Sequence, residues 1–106
     1  MATITLTDQN FDENVLRANV PVLVCFNANW GPANDFPTKI MPEIAEEKEG
    51  RLIVGIADIE QSSVVALRYG VNGTPTFVLF KDGKITEHSR GAKSKSAILN
   101  LINPHI

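Results

Sequence analysis

Val22-Leu23-Val24-Cys25-Phe26 is apolar at every position. A run of that length without polar alternation reads as a strand covered on both faces. Such a strand needs helices above and below it, which makes the chain an α/β layered structure. The flanking segments agree. Ile4-Thr5-Leu6 forms a first short strand, and Thr7 or Asp8 offers an N-cap oxygen to a helix with Phe11, Val15 and Leu16 at helical spacing. Pro21 closes that unit. Residues 27–34 form a loop with Gly31-Pro32 as its turn signal.

The next helix runs to about Lys48 with Ile40, Ile44 and Ala45 on one face and Gly50 as its stop. Pro37 and Pro42 each remove a backbone donor, predicting a kink or a late start. Leu52-Ile53-Val54-Gly55-Ile56-Ala57 is another buried strand. Ser62 or Ser63 caps a short helix through Val65, Leu67 and Tyr69 that ends at Gly70. Thr76-Phe77-Val78-Leu79-Phe80 and Lys84-Ile85-Thr86-Glu87-His88 flank Asp82-Gly83, a hairpin signal because both turn residues tolerate positive φ. Ser94 or Ser96 caps a last helix carrying Ile98, Leu99 and Ile102. The order is β-α-β-α-β-α-β-β-α: a central mixed sheet flanked by helices, parallel in its core, with the final hairpin as an antiparallel edge.

The 106 residues suit one domain spanning 1–106. A net charge of −2 gives no electrostatic reason to expect a nucleic acid or an anionic membrane as partner. No apolar run is long enough to span a bilayer. The start, Met1-Ala2-Thr3-Ile4-Thr5-Leu6-Thr7, lacks the basic and apolar regions of a signal peptide, so a cytoplasmic protein is expected. A single cysteine excludes an internal disulfide.

That element order, together with four local motifs, resembles the thioredoxin family. Phe26-Asn27-Ala28-Asn29-Trp30-Gly31-Pro32 resembles the family's strand-to-helix loop, which reads Trp-Cys-Gly-Pro-Cys. Tyr69-Gly70-Val71 with Gly73-Thr74-Pro75-Thr76-Phe77 resembles the segment whose proline is cis in the family. Phe80-Lys81-Asp82-Gly83 is similar to its hairpin, and Gly91-Ala92 to the turn before its last helix. The resemblance covers roughly residues 6–102 and implies a thioredoxin-like fold.

It does not carry over the chemistry. In the family, a cysteine at a helix N-terminus has a lowered pKa and a second one, two residues away, resolves the mixed disulfide. A gap-free alignment puts Gly31 and Asn34 at those positions. The family's buried acid falls on Cys25 and a neighbouring lysine on Ile56; Asn27 stands where a further indole is usual. No catalytic residue is therefore assigned, and dithiol–disulfide oxidoreductase activity is not expected. Cys25 reads as a small buried hydrophobe, and Asn34 as the N-cap of the following helix.

The same resemblance implies a shallow groove for extended peptides at Trp30, Gly31, Pro32, Thr74, Pro75 and Gly91, where Thr74 would offer backbone hydrogen bonds to a bound chain. The expected function is a redox-inactive, monomeric module binding a protein or an extended peptide, with no cofactor and no metal. The alternatives are a monothiol redox enzyme using Cys25 and a structural subunit of a larger assembly. His88 and His105 lack the spacing of a metal site. Asp58 and Glu60 read as solvated acids, and Arg90, Lys93 and Lys95 as a basic cluster serving solubility.

Overall fold

Every residue of β2 (Val22–Asn27) is buried, as a strand covered on both faces requires. The computed structural model describes residues 3–28 and 35–106. The remaining strands are β1 (Ile4–Leu6), β3 (Ile53–Asp58), β4 (Thr76–Lys81) and β5 (Lys84–Arg90). The helices are α1 (Asp35–Glu47), α2 (Ser63–Arg68) and α3 (Lys95–Ile102). Together the strands form a five-stranded mixed sheet in the order β1-β3-β2-β4-β5. β1, β3 and β2 run parallel, whereas β4 is antiparallel to β2 and β5 to β4.

The hairpin is thus the antiparallel edge expected, with β4 against β2 and β5 outermost. Burial follows that order: Thr76 to Phe80 are all buried, while no residue of β5 is. Asp82 (φ 55°) and Gly83 (φ 77°) make the tight turn between them, both at positive φ as that turn requires.

The pleat sends alternate residues of β2 to opposite faces. Leu23 and Cys25 join Ile40, Met41 and Ile44 of α1 and Ile98 and Ile102 of α3 in one core. Val22, Val24 and Phe26 join Phe11, Val15 and Phe80, with Val65 and Ala66 of α2, in the other. In that second core the rings of Phe11, Tyr69 and Phe80 lie within 5.1–5.7 Å of one another, two of the three contacts edge-on. α1 holds Pro42 in its interior, so the helix runs through the residue at the loss of one hydrogen bond rather than starting after it. Ser94 is the α3 cap, its Oγ accepting from the Ala97 N–H at 3.1 Å.

Three local expectations change. The helix after β1 is a π-helical turn, Asp12–Leu16, with the Arg17 N–H donating to the Asp12 carbonyl at 3.2 Å. Its N-cap is Phe11, without a side-chain cap, and Thr7 instead closes the turn that leads into it through a reciprocal pair. The Thr7 N–H donates to Asn10 Oδ1 at 2.8 Å and the Asn10 N–H to Thr7 Oγ1 at 3.4 Å.

Asp8 instead caps α2, accepting from the Val64 and Val65 N–H groups at 3.3 and 3.0 Å. Ser62 makes no side-chain cap; its buried hydroxyl donates to the Leu6 carbonyl at 3.0 Å. With Asp8 fixing the start of α2, Val65 and Ala66 face the core. Leu67, expected on that face, is 83% exposed.

Gly55 sits where β3 pairs with both β1 and β2. A Cβ there would meet Leu6 Cδ1 at 2.5 Å and Cγ at 3.0 Å, and Leu6 is fully buried. Gly55→Ala should therefore cost about 1–3 kcal/mol from overpacking despite adding apolar surface. Equilibrium urea unfolding measures it; an unchanged or raised midpoint would mean that Leu6 repacks freely.

Candidate functional site

Parallel pairing to β3 and antiparallel pairing to β4 place Cys25 between Ile56 and Phe77. All around it is apolar, and the thiol is fully buried. Desolvation pushes its pKa up from 9.0 to about 12. A thiol attacks as its thiolate and must be reached by its target, and Cys25 meets neither condition. The register also sets Cys25 and Ile56 side by side. The positions at which the resemblance expects a carboxyl and an amine thus form an apolar contact instead.

Parallel pairing of β2 with β3 and antiparallel pairing with β4 put the C-terminal ends of β2 and β3 beside the N-terminal end of β4. The Thr74–Pro75 bond is cis, and Pro75 is buried while Thr74 is half-buried. The Gly91 N–H donates to the Pro75 carbonyl at 2.8 Å, so the turn after β5 is fastened against the proline. Gly91 adopts φ 105°, a conformation that glycine alone takes readily. Thr76 Oγ1 donates to the Gly73 carbonyl at 2.6 Å and holds the approach to Thr74. Neither the N–H nor the C=O of Thr74 has a hydrogen-bond partner among the described residues.

An open groove of about 470 Å³ adjoins it. Ile59, Ala66, Leu67 and Val71 supply its apolar wall, and Asn72 and Thr74 its polar end. Leu67 and its neighbour Val64 are exposed apolar side chains on α2, an arrangement more often found at contact surfaces than elsewhere. The Arg90 guanidinium donates from Nη1 to Asn72 Oδ1 at 2.8 Å, and its aliphatic stem passes over Gly73.

Thr74, Pro75 and Gly91, expected to act together, are thus in one place. Trp30, Gly31 and Pro32, and the expected cap Asn34, lie outside the described residues. Sequence reasoning missed Leu67, Ala66, Val71 and Asn72. The signal for Leu67 was a large apolar residue that no core needs once Val65 and Ala66 fill the inward positions of a six-residue helix.

The histidines differ from one another. His88 is exposed, whereas His105 Nε2 lies 2.8 Å from Glu87 Oε2 and ties the C-terminal turn to β5. Lys95, at the start of α3, bridges Glu43 at 3.1 Å and also Glu47 on α1. Among the described residues no cluster of three or more His, Cys, Asp or Glu side chains could hold a metal. None of the described helices is long and apolar enough to cross a membrane.

A family model described as thioredoxin matches residues 2–104. Thioredoxin from Pseudomonas aeruginosa is 34% identical over 103 residues, covering 97% of this chain and 95% of that protein. Thioredoxin from Mycobacterium tuberculosis is 39% identical over 102 residues, 96% of this chain and 88% of its own length. Thioredoxin from Rickettsia bellii is 33% identical over 101 residues, with 95% and 96% covered.

Proposed function

Because this chain belongs to the thioredoxin family while its one cysteine is buried in the sheet, we propose that it is a redox-inactive member that docks an extended segment of a partner protein. The dock is the groove beside Thr74 and Pro75. The observation that carries the reading is a contrast within one domain. The half-buried Thr74 peptide group is without a partner among the described residues and borders an apolar groove, whereas the thiol is walled off and held protonated. Its relatives' name points to thiol chemistry, but that chemistry needs a reachable thiolate and a resolving partner. A monothiol enzyme built on Cys25 meets the same objection, since burial opposes both ionisation and attack.

Amide chemical-shift mapping tests the dock. The probe is a short, uncharged alanine-serine peptide with a valine-leucine-valine centre. Saturable shifts should concentrate at Thr74, Gly91 and Leu67, and Leu67→Asp should weaken them. Shifts absent at the solubility limit of the peptide, or confined to the far face of the sheet, would contradict the reading and favour a structural subunit without a groove.

A further inference from the structure

The groove is apolar along its wall but carries a charge beside Thr74. At one end Arg90 lies against Asn72 and Gly73, next to Thr74. Among the described residues the ion pairs are Arg68–Asp12, Lys95–Glu43, Lys95–Glu47 and His105–Glu87. Arg90 is in none of them, and neither is Lys93, which follows Gly91 by two positions. The groove therefore has an apolar wall and, beside Asn72 and Thr74, a guanidinium outside every one of those ion pairs.

We infer that the segment docked here carries a carboxylate two positions from its apolar anchor, placed against Arg90. This rests on the peptide-docking reading and names the chemistry of the partner. An extended chain held at Thr74 rises about 3.3 Å per residue and sends alternate side chains to the same face. With an apolar residue directed onto Leu67 and Val71, the next side chain on the groove side lies two positions along, toward Arg90. The guanidinium is held by its bond to Asn72, so its planar fork is partly organised before a carboxylate arrives. A cation in that place would meet the Arg90 guanidinium, which is in none of the ion pairs among the described residues. The charge beside Thr74 thus gives the groove a preferred partner composition.

Fluorescence anisotropy with labelled short peptides tests the inference. Each has the valine-leucine-valine centre, flanked on one side by a pair of glutamates or a pair of lysines, and each is made in both chain orders. One glutamate peptide should bind roughly three- to tenfold tighter than the lysine peptide of the same order. The preference should shrink at high salt. In Arg90→Glu it should vanish or reverse. Leu67→Asp should weaken every peptide. If all peptides bind equally and Leu67→Asp weakens them all, the groove stands and the inference about charge is overturned. Binding by none of them, the uncharged probe included, overturns both.

Discussion

Cys25→Asp lowers the stability of the fold by about 5–7 kcal/mol at pH 7 but by only about 1–3 kcal/mol near pH 4. The smaller figure is the cost of burying a neutral carboxyl group without a hydrogen-bond partner. Ile56, Phe77 and the rest of that core offer none. The larger figure adds ionisation. In the unfolded chain the introduced carboxyl titrates near pH 3.9, whereas desolvation at the fully buried position raises its folded pKa by several units. Each unit between the unfolded pKa and the working pH is worth about 1.36 kcal/mol, so about 4 kcal/mol accumulates by pH 7.

The sign follows from the direction of the shift. A folded pKa above the unfolded one means the folded state binds the proton more tightly. The penalty is small below about pH 4 and grows as pH rises toward the folded pKa. Domains of this size have total stabilities of about 5–15 kcal/mol, so the variant should be marginal at neutral pH and recover on acidification. Urea unfolding at both pH values, with Cys25→Ala as a control lacking a titrating group, measures the effect. An equal loss at both pH values would mean that the carboxyl group reaches water or a partner. The strand could then have served proton transfer after all.

Native Cys25 should react with an aromatic disulfide reagent at pH 8 at least ~10³-fold more slowly than the same thiol in guanidinium. Ionisation alone supplies that factor. A pKa of about 12 leaves roughly one thiol in 10⁴ as thiolate at pH 8, against about a tenth or more in the unfolded chain. Burial slows the reaction further, because the reagent must await an opening of the sheet between β3 and β4. Native and unfolded rates within tenfold of each other would place the thiol at the surface and return the monothiol enzyme to consideration.

The contrast between Cys25 and Leu67 also indicates how much the sequence alone could carry. Val22 to Phe26 announced a strand buried on both faces because nothing polar interrupts it, and five buried residues there are what the sheet contains. Asp82-Gly83 fixed the hairpin through backbone conformation, which is local information. Which strand of that hairpin lies inward is not local: it depends on β2, from a distant part of the chain, pairing with β4.

Likewise, the rotation of α2 is set by Asp8, a residue 56 and 57 positions away from the amides it caps. No window of neighbouring residues holds that contact, so Leu67 looked like a core residue and the groove wall went unseen. At the site, Thr74, Pro75 and Gly91 were legible through motif resemblance, and the hydrogen bond from Gly91 to Pro75 gives the physical reason they belong together. Arg90 was visible only as one member of a basic cluster. Its distinction from Lys95 needs three dimensions: Lys95 is engaged by Glu43 and Glu47, while Arg90 lies on the groove against Asn72.

The central claim is that a thioredoxin fold persists here without thiol chemistry, and steady-state reduction of insulin disulfides by dithiothreitol tests it most directly. The account predicts that the protein leaves the rate at the uncatalysed background, with wild type and Cys25→Ser indistinguishable. Turnover above background that Cys25→Ser abolishes would contradict it.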